Sequence, residues 1–496
     1  MDPRLAAAVV FLASGAVLVL EIVGLRLVAP YVGVTLQTSS AVIGVALTAI
    51  SVGAWTGGRL ADEVDPRRTL GLVLVVAGLV TAVTVPLVRA FGPLLQGSAP
   101  GDVVVLAVMA LFLPSALLAG VTPMVVKLQL RDVGRTGTIV GRLSGIGTLG
   151  AILATFATGF VLVATLPSGV IVAGLGLVLV LAGALLWFLL RRRSGNVTVR
   201  VPLTALLLGL TGAGTAVVAP TPCQVETAYH CASILPDPAR PATGRVLTFD
   251  RLQESYVDVA DPTYLAYAYV QGIASVADVV RPAHAPISAL YIGGGGLTLP
   301  RYVAATRPGS SGRVLEIDPA VLDLGRSLVG PTGLPRLQAR VGDARVTLRE
   351  EPPDSRDLVV GDAFSGPAVP WHLTTREFLR EVRQALRPGG VYAMNVIDFP
   401  PNRFVSAEVA TIRSVFPEVA VLAYPGALSD RTGGNFVVVA STSALPVAAI
   451  RDRLAARRTP FTVSTGRAVS AFSSGAPVLT DDYAPVDQLV NSSWVR

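Results

Sequence analysis

Four short runs hold groups that could act together on one ligand: Gly293–Gly294–Gly295–Gly296, Glu316–Ile317–Asp318, Gly342–Asp343 and Asp362 with the Ala363–Phe364–Ser365–Gly366–Pro367 that follows it. Glycines such as Gly293 and Gly295 let the chain turn sharply and let a ligand approach the backbone. A carboxylate about twenty residues farther on is placed to accept hydrogen bonds from ribose hydroxyls, which assigns that chemistry to Glu316 and Asp318. Asp343 offers an acceptor for an adenine amino group. The four runs therefore predict a nucleoside site. Asp362 either faces that ligand or caps its own loop. Nothing in the spacing of the three histidines and two cysteines suggests a metal.

These groups need strand ends to hold them. From about 243 the sequence reads as two short strands, 246–250 and 255–259, joined at a turn, then a helix near 263–279. Strands near 289–292, 313–317, 338–341, 357–361, 391–396, 419–424 and 435–440 follow. Helices near 298–307, 319–329, 374–386 and 403–415 alternate with them, the pattern of a doubly wound sheet. Every candidate ligand group then falls at the carboxyl end of a strand, where open α/β sheets bind ligands.

The rest of the chain is a different material. Of 496 residues, 52% are hydrophobic and 15% charged, against about 25% charged in soluble proteins. Residues 1–219 hold 14 Lys+Arg and 7 Asp+Glu, and residues 220–496 hold 26 of each, so the net charge of +7 lies in the apolar half. A neutral polar half without a long basic run excludes a nucleic-acid partner. Seven stretches, near 5–29, 39–60, 69–88, 103–126, 138–163, 168–190 and 201–219, could each span about 30 Å of hydrocarbon at 1.5 Å per residue. The expected architecture is an all-α transmembrane bundle of about seven helices (1–219), a Pro-rich linker (220–242) and an α/β Rossmann-like, methyltransferase-type domain with a small N-terminal β-hairpin region (243–496).

Loop charges give the orientation. Arg4, then Arg59, Arg67 and Arg68, then Lys127, Arg131, Arg135 and Arg142, then Arg191, Arg192, Arg193 and Arg200 fall in alternate loops, while the others contribute only Arg89. By the positive-inside rule the amino terminus is cytoplasmic, and seven crossings leave the polar half on the exoplasmic side of the cell membrane. Cys223 and Cys231 follow the last stretch; they are either a disulfide on the oxidising side or two unpaired thiols. Glu21, inside the first stretch, is either a structural hydrogen-bonded carboxyl or a ligand site.

Residues 240–400 resemble the spermidine synthase (polyamine aminopropyltransferase) family, specifically its membrane-fused members. The resemblance lies in Leu247–Thr248–Phe249–Asp250–Arg251–Leu252–Gln253, Tyr291–Ile292–Gly293–Gly294–Gly295, Leu315–Glu316–Ile317–Asp318, Val341–Gly342–Asp343, Asp357–Leu358–Val359–Val360–Gly361–Asp362 and His372–Leu373–Thr374–Thr375–Arg376–Glu377–Phe378. The membrane-fused relatives also resemble this chain in Ser14–Gly15, Glu21 and Leu479–Thr480–Asp481–Asp482–Tyr483–Ala484–Pro485. The resemblance implies aminopropyl transfer from decarboxylated S-adenosylmethionine to putrescine or a related amine, giving methylthioadenosine without a metal. Gln253, Glu316 and Asp343 would then hold the thioadenosine part, Asp362 would be the general base, and Tyr269 would line the substrate channel. It also implies a homodimer, with a polyamine and the lipid bilayer as partners.

Three positions depart from the family's pattern. Gly296 stands where an aspartate would grip the donor's amine, Ser365 replaces a second aspartate three residues beyond the base, and Gln271 replaces a glutamate. Each change removes a negative charge that would pair with an amine, a contact worth about 1.5–3 kcal/mol. Two other readings therefore stand beside the transferase: a degenerate synthase fold that binds or transports a polyamine or nucleoside, and an S-adenosylmethionine-dependent methyltransferase.

Overall fold

The computed structural model describes residues 1–491 except 35, 96–99, 131, 192–210, 213, 251, 331–333, 335 and 367. The chain divides into two compact units, Met1–Cys231 and Ala232–Arg496.

Six helices in the first unit are long and apolar enough to cross a membrane: α1 (Pro3–Val32), α2 (Leu36–Glu63), α3 (Pro66–Leu95), α4 (Pro100–Gln129), α5 (Thr136–Thr165) and α6 (Ser168–Leu190). Asp2 starts α1 by accepting from the Arg4 amide at 2.8 Å, with Pro3 in the first turn, where its missing N–H costs nothing. Small residues set the packing. A Cβ at Gly78 of α3 would lie 2.5 Å from the Gly176 carbonyl of α6, and one at Gly183 would lie 2.7 Å from the Gly71 carbonyl, so these backbones touch. The seventh expected stretch, 201–219, lies largely outside the described residues; 211–212 and 214–218 are helical.

Polar contacts fasten one end of this unit. Arg26, near the end of α1, donates to the Ala228 carbonyl at 2.6 Å and to that of Thr227, and pairs with Glu226 at 3.3 Å. Glu226 also accepts from the Ser168 amide at the start of α6, and Arg89 of α3 donates to the Ala219 carbonyl at 2.7 Å. Cys223 and Cys231 are joined by a disulfide with their Cα atoms 5.2 Å apart. At the other end, Gln129 donates to the Met1 carbonyl at 2.9 Å, and Lys127 pairs with Asp62 at 2.6 Å.

The stretch expected as a linker is partly strand. It contains β1 (Val225–Glu226) and β2 (Cys231–Pro236). Its prolines, at 220, 222, 236, 238 and 241, bound β2 rather than preventing it.

In the second unit β3 (Gly244–Phe249) pairs antiparallel with β2 and with β4 (Leu252–Asp258). Helix α7 (Ala268–Ala277) leads into the main sheet. That sheet contains β5 (Ser288–Ile292), β6 (Ser311–Glu316), β7 (Leu337–Val341), β8 (Arg356–Gly361), β9 (Leu386–Asp398), β10 (Glu418–Ala423), β11 (Gly434–Ser441) and β12 (Thr462–Thr465). Their order is β12-β10-β11-β9-β8-β5-β6-β7. The five strands from β7 to β9 are parallel, and β11 inserts antiparallel between β9 and β10.

The longer helices that follow α7 are α8 (Thr298–Thr306), α9 (Pro319–Val329), α10 (Arg376–Ala385), α11 (Arg403–Arg413) and α12 (Val447–Ala456). Alternate residues of a strand face opposite sides. Leu290 and Ile292 pack with Phe378 of α10 and Phe404 of α11, while Ala289 and Tyr291 pack with Ile273 of α7 and Val303 of α8.

Candidate active site

From β5 the chain builds outward through β6 and β7, then returns to place β8 on the other side of β5. The carboxyl ends of β5 and β8 form the topological switch point, where such sheets open a crevice. Gly293 and Asp362 stand at those two ends. The Asp362 amide donates to the Ile292 carbonyl at 2.9 Å. Gly293 has φ +98°, and any Cβ there would run into the Asp362 carbonyl, so only glycine fits.

The Asp362 side chain is partly buried. Burial raises its pKa to about 6, opposed by the Asn395 amide and by the neighbouring Tyr269 phenol. The Asn395 amide donates to Asp362 Oδ1 at 2.9 Å, and Asn435 donates to Asn395 Oδ1 at 3.0 Å. Neighbouring strands β9 and β11 thus hold the carboxylate through a short amide relay. A carboxyl that titrates near neutrality can take up a proton and release it again.

Tyr269 is buried, and burial together with Asp362 and Glu254 keeps its phenol protonated, well above the usual range. It stacks on Tyr267 at 6.1 Å between centroids, and Tyr267 meets Tyr256 edge-on at 6.2 Å. Burial, Glu254 and Asp237 raise Tyr267 to about 12. Its hydroxyl lies 3.5 Å from Gln253 Oε1, at the limit of a hydrogen bond. Gln253 itself is exposed.

The glycine loop is held by Glu316. Its two oxygens accept from the Gly294 amide at 2.7 Å and the Asp318 amide at 3.0 Å, which fixes the carboxylate against the loop. Asp318 is buried and caps α9 by accepting from the Ala320 amide at 3.0 Å. Asp343 accepts from the Arg345 amide at 2.7 Å, and its second oxygen lies 3.2 Å from His372 Nε2. Those two aspartates are anchored by their own surroundings; Glu316 is the acid held against the loop itself.

The three altered positions differ in their surroundings. A Cβ at Gly296 would lie 2.7 Å from Val257 Cγ2 and 3.1 Å from Ser255 Cβ, so β4 occupies the space an aspartate would need. The Gln271 amide donates to the Leu265 carbonyl at 2.8 Å and accepts from Thr459 at 2.8 Å, so both its polar ends are engaged. Ser365 is exposed, and its backbone bridges to Ala368.

Sequence reasoning passed over Asn395, Asn435, Tyr267 and Glu254. The asparagines were findable as amides interrupting the apolar runs 391–396 and 435–440, since a buried polar group needs a partner. Glu254 is the extra residue where the β3–β4 register slips, between the Leu247↔Ser255 and Thr248↔Gln253 pairs. Such a bulge re-aims a side chain, and no periodicity announces it.

No protein-family model matches the chain. A polyamine aminopropyltransferase of Vibrio vulnificus (strain CMCP6) is 30% identical over 216 residues, covering 41% of this chain and 70% of that protein. An eEF1A lysine and N-terminal methyltransferase of Danio rerio is 28% identical over 162 residues, which is 30% of this chain but only 23% of the relative. Among solved structures, a probable spermidine synthase from Corynebacterium glutamicum ATCC 13032 is 28% identical with a TM-score of 0.47, covering 52% of this chain and 95% of that one.

Proposed function

The chain belongs to the polyamine aminopropyltransferase family, and from that premise we propose that its second unit transfers an aminopropyl group from decarboxylated S-adenosylmethionine to putrescine or a related amine. The amine nitrogen attacks the methylene beside the donor's sulfonium. The carbon–sulfur bond breaks, its electron pair stays on sulfur, and methylthioadenosine leaves. The ammonium must lose a proton for its nitrogen to attack, and Asp362 accepts it. Glu316 would receive the ribose, and Gly293 and Gly295 would let the nucleoside approach the backbone.

The observation that carries this reading is Asp362 itself: a carboxyl at the switch point, raised to about 6, with Asn395 and Tyr269 holding its charged form. Purified full-length protein given labelled donor and putrescine should release methylthioadenosine, and Asp362→Asn should abolish the release. The crowding at Gly296 and the engaged Gln271 amide favour one second reading, a domain that binds the nucleoside or amine without turnover. Saturable methylthioadenosine binding without product from any amine would select it.

We further infer that the first unit spans the membrane with its amino terminus in the cytoplasm. Arg59, Arg67, Arg68, Lys127, Arg135 and Arg142 cluster at the end where Gln129 meets Met1. Residues 219–231, with their disulfide, are fastened at the opposite end by Arg26, Arg89 and Ser168. A disulfide belongs in an oxidising compartment, so the polar unit that follows faces the exoplasmic side and must meet its donor there. A reporter fused after residue 496 should label from outside intact cells; labelling only after permeabilisation would reverse the orientation.

A further inference from the structure

Glu21 has no part in the proposed transfer, yet it is a carboxyl near the middle of α1. Among the described residues it makes no hydrogen bond or ion pair. The cations nearest along α1 cannot answer it, because Arg26 is committed to Glu226 and two carbonyls and Arg4 lies at the far end. The other charged residues of the two helices flanking it, Asp102 and Lys127 of α4 and Arg142 of α5, stand near helix ends; Lys127 pairs with Asp62, and Arg142 donates to the Pro3 carbonyl at 3.2 Å.

Its direction follows from helix geometry. Gly24 faces α4, where a Cβ would lie 2.5 Å from Leu111 Cδ2. Gly15 faces α5, where a Cβ would lie 3.1 Å from the Gly150 carbonyl. At about 100° per residue, Glu21 projects roughly 60° from Gly24 and about 120° from Gly15, which stand on opposite sides of α1; of the two arcs between them Glu21 shares its own with Ser14, about 20° away, and a Cβ at Gly147 of α5 would lie 2.8 Å from Ser14 Oγ. It points into the seam between α4 and α5.

Two buried hydroxyls lie at the same level. α4 runs antiparallel to α1, with Leu111 against Gly24 and Gln129 against Met1, so Ser115, one turn beyond Leu111 on the same face, comes level with Leu20 and Glu21. α5 runs parallel to α1, with Arg142 against Pro3 and Ala154 against Gly15, so Thr158, one turn beyond Ala154, also reaches that level. Ser115 and Thr158 are fully buried, and neither hydroxyl has a partner. Both helices carry a π-helical turn here, Val108–Phe112 in α4 and Thr158–Leu162 in α5, a distortion frequent at functional sites.

We propose that Glu21, Ser115 and Thr158 form a binding site for a protonated primary amine inside the bundle. An –NH3+ group has three donors, and one carboxylate with two hydroxyls supplies three acceptors and one balancing charge. A divalent metal would want more acid than this; among the described residues no three His, Cys, Asp or Glu gather anywhere. Choosing an amine over a bare monovalent ion rests on the polyamine chemistry proposed above, whereas the site rests on its own residues.

Dicyclohexylcarbodiimide reacts with protonated carboxyls in apolar surroundings, so an amine that holds Glu21 ionised should protect it. Full-length protein in lipid nanodiscs is treated with the reagent, and modification at Glu21 is followed by peptide mass spectrometry. Putrescine should slow labelling about tenfold, the factor that one charged hydrogen bond supplies. Sodium, and N,N,N′,N′-tetramethylputrescine, which keeps the charge with one N–H per nitrogen, should not. The Ser115→Ala/Thr158→Val double variant should still label at Glu21 but lose the protection. No labelling at Glu21, labelling that putrescine leaves unchanged, or equal protection by sodium overturns the proposal. Methylthioadenosine release from the same preparation reports on the second unit alone. Protection without release removes the transferase, and release without protection removes only this site.

Discussion

Two desolvated carboxyls in the second unit differ in what surrounds them. Asp362 sits at the mouth of the sheet, and Glu408 lies within the apolar layer that α11 packs against it. Burial raises both pKa values, Asp362 to about 6 and Glu408 well above the ordinary glutamate range. Asp362 has an amide donating to it and the Tyr269 phenol beside it, while neither oxygen of Glu408 has a partner. Desolvation alone leaves a carboxyl protonated and inert. Desolvation opposed by an aimed donor leaves it poised near neutrality, the balance that a proton acceptor requires and a core carboxyl lacks.

The largest expected effect separates the two by activity. Asp362→Asn should lower methylthioadenosine release by at least about a hundredfold, the lower bound for losing a general base. Glu408→Gln, an isostere in the core, should leave the release within about twofold. Equal losses in both variants would dissolve the distinction and make fold integrity the common cause.

Stability should move the other way. A carboxyl raised from 3.8 to about 6 in the folded state costs stability as it ionises, so Asp362→Asn should gain about 1–3 kcal/mol above pH 6 and nothing below pH 4. Glu408→Gln should also melt higher than wild type at neutral pH, with the gain vanishing as pH falls through the ordinary glutamate range, where the unfolded chain is protonated too. Thermal melts across pH check both. An Asp362→Asn variant less stable at pH 8 than wild type would mean that the carboxylate is held by favourable contacts and not strained by burial.

The crowded loop gives a third test. If missing acid at position 296 were all that separated this site from a fuller amine pocket, Gly296→Asp should improve putrescine use. Val257 and Ser255 stand in the way of its Cβ, so the variant should instead lose about 1–3 kcal/mol of stability by overpacking and gain no turnover. Chemical denaturation and a KM for putrescine read the two outcomes.

Most of the parallel core was legible because strands such as Ala289–Ile292 and Val391–Val396 are apolar runs closed by glycine or acid; β7, with Gln338 and Arg340, is not. That pattern also placed Gly293, Glu316 and Asp362 at strand ends. β12 was not legible. Its residues, Thr462–Thr465, are polar and partly exposed at a sheet edge, so burial leaves no pattern there. β2 was masked by the prolines around it, which read as breakers until they are seen to fall at its ends. Position types survive in the sequence, but occupancy does not. Nothing in Gln271 shows that its amide is committed to Leu265 and Thr459, or in Gly296 that β4 fills the space beside it.

The smallest effect is the most diagnostic. Asn395 donates to Asp362 and the Tyr269 phenol lies beside it, and each favours the charged form. Removing either group should raise the pKa further, so the acid limb of kcat/KM for amine transfer should move to higher pH. Asn395→Ala should shift that limb up from about 6 by about one unit, with the plateau largely kept, because the carboxylate remains in place. Tyr269→Phe should shift it in the same direction while keeping the stacked ring against Tyr267. Loss of rate at every pH without movement of the limb would mean that Asn395 orients a substrate and does not tune a base. A limb that moved to lower pH would mean that neither group stabilises the carboxylate and that Asp362 does not set the limb.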